Sequence, residues 1–255
     1  MILHAVEAGT GEGEPAVLLH GLFGAAQNFT AIQRRLAAAH RVIAFDLRNH
    51  GVSPHDPAMS YSAMAADVLE SLAALSVQRA AVIGHSMGGK VVMQAALLHP
   101  DRISRLLVAD IAPVRYPPAF RDIATAMLTL PLTPGLTRAA ADAALSEAVP
   151  DPATRGFLLR NLQTGAVPGW RIALSAIAAN LPVIDGWDPP ADAAYPGPVL
   201  VLRGERSSYI QPEHRPAFRA LFPACRFATL PGAGHWLHAD APDAFVLIVQ
   251  EFLDG

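Results

Sequence analysis

Short apolar runs alternate along most of the chain with longer stretches in which apolar residues recur at helical spacing. Ile2–Glu7, Ala16–His20, Val42–Asp46, Ala80–Gly84, Leu106–Asp110, Val199–Arg203 and Arg226–Leu230 have strand length. Between them, Asn28–Ala39, Tyr61–Leu75, Gly88–His99, His214–Leu221 and Pro242–Phe252 read as helices. Strands alternating with helices predict an α/β fold, with a mostly parallel central sheet flanked by helices. Each strand-like run ends in a loop carrying Gly, His, Asp or Ser, and in open sheets of this kind ligands bind at those carboxyl ends.

The alternation breaks between Ala112 and Pro190. This stretch holds 11 of the 22 prolines and reads as several short helices, with Asp151 and Pro152 forming an N-cap and first-turn pair. An insertion at this point would overhang the strand ends, so residues 1–111 and 191–255 are expected to form the core and 112–190 a helical cap. A length of 255 residues suits one such domain. With 52% hydrophobic and 16% charged residues, the chain is too apolar for disorder and fits a well-buried parallel sheet.

Charge removes some functional classes. The net charge is −3 and the 19 basic residues are scattered, so nucleic-acid binding has no electrostatic footprint. All of them are Arg except Lys90. The single cysteine, Cys225, allows neither an intrachain disulfide nor a thiolate metal site. Residues 1–15 lack a basic leader and an apolar core, so a cytoplasmic protein is the expectation. No uninterrupted apolar run is long enough to span a membrane, and the oligomeric state is not legible.

Residues 84–89 read GHSMGG, a G-x-S-x-G pentapeptide between a strand-like run and a helix. This pattern predicts a nucleophile elbow, a tight turn that lifts the hydroxyl of Ser86 above the sheet. Gly84 and Gly88 stand where side chains would collide with neighbouring backbone. Serine needs a base and a group to orient that base. Of ten histidines, His235 is the candidate base, because the GAGHWLH loop follows the last strand and can bend over the elbow. His85 is expected to point away across the pleat, His20 and His50 to pack in loops, and His238 to pack on or cap the final helix. His20, His85 and His235 lack a carboxylate at ligand spacing, so neither a metal nor any other cofactor is expected.

The segments HGLFG (20–24), DLRNHGVS (46–53), GHSMGGK (84–90), DIAP (110–113) and GAGHWLH (232–238), in that order, resemble the α/β-hydrolase superfamily. More narrowly, they are similar to its small bacterial esterase and thioesterase branch, which is related to animal abhydrolase-domain proteins. In most of that superfamily the acid follows the strand that is Val199–Arg203 here, where this chain has Ser207 and Ser208. In the branch it resembles, the acid follows the preceding strand. The resemblance therefore implies Asp110 as the acid, with Glu205 as a rival and Asp185 or Asp188 in the cap behind it.

The same resemblance implies an oxyanion hole made by the main-chain N–H groups of Met87 and Leu22, with Phe23 as the near alternative to Leu22. Arg48, Asn49, His50 and Asp46 are implied to pin a loop. The activity implied is hydrolysis of a small-molecule acyl ester or thioester, acyl-CoA included, through an acyl-enzyme and without a cofactor. Cofactor-free perhydrolysis or lyase chemistry on the same residues is one alternative, and a ligand receptor on this fold is another. Between Ala112 and Pro190, six Arg and six acidic residues stand among Tyr116, Phe120, Phe157, Trp170 and Trp187, a balance that favours an apolar acyl group.

Overall fold

Branched and aliphatic residues at successive positions give strands that are apolar on both faces, which suits only the interior of a helix-covered sheet. The runs AVLL at 16–19 and VIAF at 42–45 are buried at every position. In the computed structural model, which describes residues 1–255, the strands are β1 (Ala5–Ala8), β2 (Ala16–Leu19), β3 (Val42–Phe45), β4 (Ala80–His85), β5 (Ile103–Ala109), β6 (Leu162–Gln163), β7 (Gly169–Trp170), β8 (Val199–Gly204) and β9 (Cys225–Leu230). Seven of them form one sheet in the order β1-β3-β2-β4-β5-β8-β9. Only β1 runs antiparallel to its neighbour. The fully buried β4 lies at the centre, so the residue that follows it stands at the middle of the carboxyl edge.

The helices are α1 (Thr30–Leu36), α2 (Tyr61–Ala74), α3 (Met87–Leu98), α4 (Arg121–Thr129), α5 (Arg138–Leu145), α6 (Pro152–Leu158), α7 (Leu174–Ile184), α8 (Arg215–Leu221), α9 (Leu237–Asp240) and α10 (Pro242–Asp254). Residues of α1 and α10 share one apolar cluster with one face of the sheet. Those of α2, α3 and α8 share another with the opposite face, and Ala124, Met127, Leu158, Ile177 and Leu181 of α4, α6 and α7 belong to that same cluster. The segment 112–190 is thus packed continuously with the sheet's covering helices. Hydrogen bonds reinforce this contact: Asn161 Nδ2 donates to the Phe23 carbonyl (2.7 Å) and the Tyr61 hydroxyl to that of Ile184 (2.6 Å).

Element bounds differ from expectation in informative places. The first strand is Ala5–Ala8 rather than Ile2–Glu7, because Leu3 N–H and His4 N–H donate to the Ser71 and Ser53 hydroxyls and not to a neighbouring strand. The helix expected over Asn28–Ala39 is a 3-10 turn, Ala26–Phe29, followed by α1. Segment 112–190 also contains the β6–β7 hairpin among its short helices. Asp151 caps α6 as predicted, accepting from Thr154 N–H at 2.8 Å with Pro152 in the first turn. No helix is long and apolar enough to cross a membrane.

Candidate active site

Ser86 occupies the junction of β4 and α3 with φ 54° and ψ −122°, a region that costs a non-glycine residue on the order of 1–3 kcal/mol. Close packing holds it there. A Cβ on Gly84 would lie 2.3 Å from the Gly88 carbonyl oxygen, and one on Gly88 would lie 2.5 Å from that of Leu19. Only glycine fits at either position. Asp110, which follows β5, also has positive φ (55°), and so does Phe23 (60°), so half of the chain's six non-glycine residues in that region stand around this site.

The His235 ring bridges the other two groups. Its Nδ1 donates to Asp110 Oδ2 at 2.8 Å, and its Nε2 lies 3.0 Å from Ser86 Oγ. The donated Nδ1 proton leaves Nε2 as an acceptor, so the serine O–H donates to it. Asp110 is fully buried and also accepts from Gly204 N–H (3.0 Å) and from the Ser207 hydroxyl. Three donors thus converge on this one carboxylate. Tyr209 stacks on the imidazole, with ring centres 4.0 Å apart and planes 19° from parallel. Its position is fixed in turn by the Tyr116 hydroxyl, which donates to the Tyr209 carbonyl at 2.6 Å and accepts from Ala112 N–H at 2.8 Å.

The other sequence candidates separate cleanly. Glu205 accepts from Gly232 N–H at 2.7 Å and makes no bond to His235. Asp185 lies across the cleft near Lys90. Phe23 N–H donates to His50 Nε2 at 3.1 Å, so it is already engaged. The N–H groups of Leu22 and Met87 find no partner within the protein, and both residues line the cleft beside Ser86. Met87 N–H opens α3, where the helix dipole adds positive potential.

Around this centre the buried histidines are neutral. His50 is pulled down to about 3 by burial and by the His20 ring beside it, and His238 to about 4 by burial and His235. Burial and the neighbouring His235 and His238 rings hold His85 well below the usual histidine range, and burial lowers His20. Neutral rings can act as acceptors: His20 Nε2 takes Leu47 N–H (3.0 Å), while His85 Nε2–H donates to the His235 carbonyl at 2.7 Å. His20, His50 and His85 thus set the loops that carry the cleft. The implied loop-pinning residues are found doing that work, with Arg48 paired to buried Asp67 at 2.6 Å and Asp46 accepting from Ala26 N–H at 2.7 Å. No cluster of His, Cys, Asp or Glu suits a metal ion.

Two cavities meet at Ser86. One, of about 280 Å³, runs past Met87, Lys90, Ile111, Tyr116 and Tyr209. The other, of about 50 Å³, lies against His235, Trp236, Phe157 and Ile123. Leu22 and Phe120 border both and stand between them. Sequence reasoning missed Ser207, Tyr209 and Lys90 as parts of this site. The only signals were a serine where an acid was expected and a single lysine in an arginine-rich chain.

Residues 16–246 match the model of the alpha/beta hydrolase family. The chain is 38% identical over 241 residues to the esterase YbfF of Escherichia coli, covering 94% of this chain and 93% of that one. It is 40% identical over 246 residues to the mouse sn-1-specific diacylglycerol lipase ABHD11, covering 93% and 80%. A solved marine microorganism esterase superposes with a TM-score of 0.94 at 35% identity, covering 98% of this chain and 99% of that one. The chain belongs to the alpha/beta hydrolase family, in the branch that holds bacterial esterases and animal abhydrolase-domain proteins.

Proposed function

We propose that this hydrolase is a serine-dependent carboxylesterase or thioesterase for small to medium acyl groups, with Ser86 as nucleophile, His235 as base and Asp110 as the acid that orients it. The carrying observation is the unbroken relay from Ser86 Oγ through both ring nitrogens of His235 to the buried Asp110 carboxylate. The likeness to an esterase and to a diacylglycerol lipase supports the reading.

In this mechanism His235 Nε2 takes the hydroxyl proton as Ser86 Oγ attacks the carbonyl carbon. Negative charge gathers on the carbonyl oxygen, and the unengaged N–H groups of Leu22 and Met87 are suited to receive it. Each such donor lowers the barrier by about 3 kcal/mol. The imidazolium then gives its proton to the departing alkoxide or thiolate, which leaves an acyl-enzyme. Water, deprotonated by the same ring, attacks that acyl group and frees the acid and the serine. The leaving group must depart beside His235, so the narrow cavity lined by Trp236 is assigned to it and the larger one to the acyl chain. Segment 112–190 acts as the cap that encloses both.

The test is Ser86→Ala assayed on p-nitrophenyl butyrate. Hydrolysis should fall by about a millionfold, to the level left by binding and the oxyanion donors, with the circular dichroism spectrum unchanged. Turnover within tenfold of the parent would remove Ser86 from the mechanism.

A further inference from the structure

Acyl transfer as described makes no use of Lys90. This residue follows Ser86 by one helical turn on the same side of α3 and lines the acyl cavity. It is 1% exposed. An ammonium group has three N–H donors. Here its hydrogen bonds run to the main-chain carbonyls of Gly186 (2.6 Å) and Asp185 (3.3 Å), and none to a carboxylate. The rings of Tyr116 and Tyr61 face it at 5.0 and 5.4 Å. The third donor has no oxygen to bind. Withdrawing such a cation from water costs several kcal/mol, which a methionine lining the same wall would not incur.

Lys90 is the inner member of a line of cations. The acyl cavity shares Tyr116, Pro118 and Asp185 with a neighbouring cavity of about 250 Å³ that Arg115 and Arg121 border. Neither arginine forms a salt bridge, and Asp185 is the one carboxylate bordering either cavity. Three cations therefore face a single acid. The leaving-group cavity, by contrast, is lined by no lysine or arginine. Positive charge is confined to the acyl side.

We propose that Lys90, with Arg115 and Arg121 beyond it, forms a carboxylate subsite, so that the preferred substrate is a half-ester or half-thioester of a dicarboxylic acid. This rests on the acyl-transfer reading and gives it a substrate class. The free carboxylate takes the third Lys90 N–H, and the arginines neutralise what Asp185 repels. Burial draws the amine down to about 7, against the pull of Asp185, and an arriving carboxylate favours its charged form.

The experiment compares kcat/KM for p-nitrophenyl hexanoate and mono-p-nitrophenyl adipate, which differ only in the terminal carboxylate, using the whole chain. The adipate ester should be preferred by about tenfold or more. Lys90→Met should collapse that ratio mainly through KM for adipate. The double variant Arg115→Gln, Arg121→Gln changes only exposed side chains and should lower the ratio several-fold even if Lys90→Met fails to fold. Ser86-dependent hydrolysis of both esters with a ratio of one or less would overturn the subsite and leave acyl transfer standing. A preference for hexanoyl-CoA over p-nitrophenyl hexanoate that the double arginine variant abolishes would also overturn it, by assigning the cations to leaving-group phosphates. Absence of Ser86-dependent hydrolysis of either ester would overturn the reading beneath it.

Discussion

Asp110 owes its position to a carbonyl pattern as much as to its own chemistry. Its N–H donates to Leu202 O at 2.9 Å, and its carboxylate receives the Gly204 N–H in return, so β8 holds the acid that β5 delivers. Asp110→Asn should therefore lower kcat for p-nitrophenyl butyrate by about a thousandfold to ten-thousandfold, through loss of the charge that fixes the imidazole tautomer. Ser207→Ala removes one donor and should cost about tenfold in kcat. Glu205→Gln, which touches only the Gly232 N–H, should leave kcat unchanged. A large effect from Glu205 together with none from Asp110 would move the acid to the other loop. Ser86 and His235 were legible because elbow and loop carry their own glycines. The hydroxyl bond from Ser207 was not, since a serine in a loop gives no sign of what it faces.

Elements with strong local signals are legible in the sequence, and those built by tertiary contact are not. The ends of β4 and α3 came out within a residue or so of expectation, because GHSMGG constrains strand, turn and helix together. Gly88→Ala should demonstrate this constraint: with Leu19 O at 2.5 Å and His20 O at 2.6 Å from the new carbon, the turn has no room to relax. Urea unfolding should show a loss of at least about 3 kcal/mol, in the range of severe core overpacking. Asp151→Ala, by comparison, should lower the urea midpoint only slightly, through the loss of one solvent-exposed N-cap. The β6–β7 hairpin leaves no mark in the sequence, because two-residue strands have no periodicity. The approach of α7 to Lys90 was equally invisible, being a contact between segments far apart in the chain.

At the scale of the whole molecule, the neutral histidines tie stability to acidity. Unfolded histidine titrates near 6.5, whereas His238 and His50 in the folded protein titrate at about 4 and about 3. The unfolded chain therefore takes up protons first. The contribution of these rings is complete above pH ~6.5 and is lost as pH falls from there toward the folded values. Between pH 7.5 and pH 5, each should withdraw on the order of 2 kcal/mol of unfolding free energy, measurable as a falling urea midpoint. A midpoint constant over that interval would mean that the rings are not held neutral in the fold.

The proposed siting of the acid just after β5 has a consequence for how this enzyme could diversify. On the proposed mechanism the loop after β8 is relieved of carrying the carboxylate, and its Ser208 and Tyr209 line the larger cavity. That loop still braces the site, because Ser207 donates to Asp110 and Tyr209 stacks on His235. A library randomised at Ser208 would sample new acyl specificities while the hydrogen bonds that join Ser86, His235 and Asp110 are left in place.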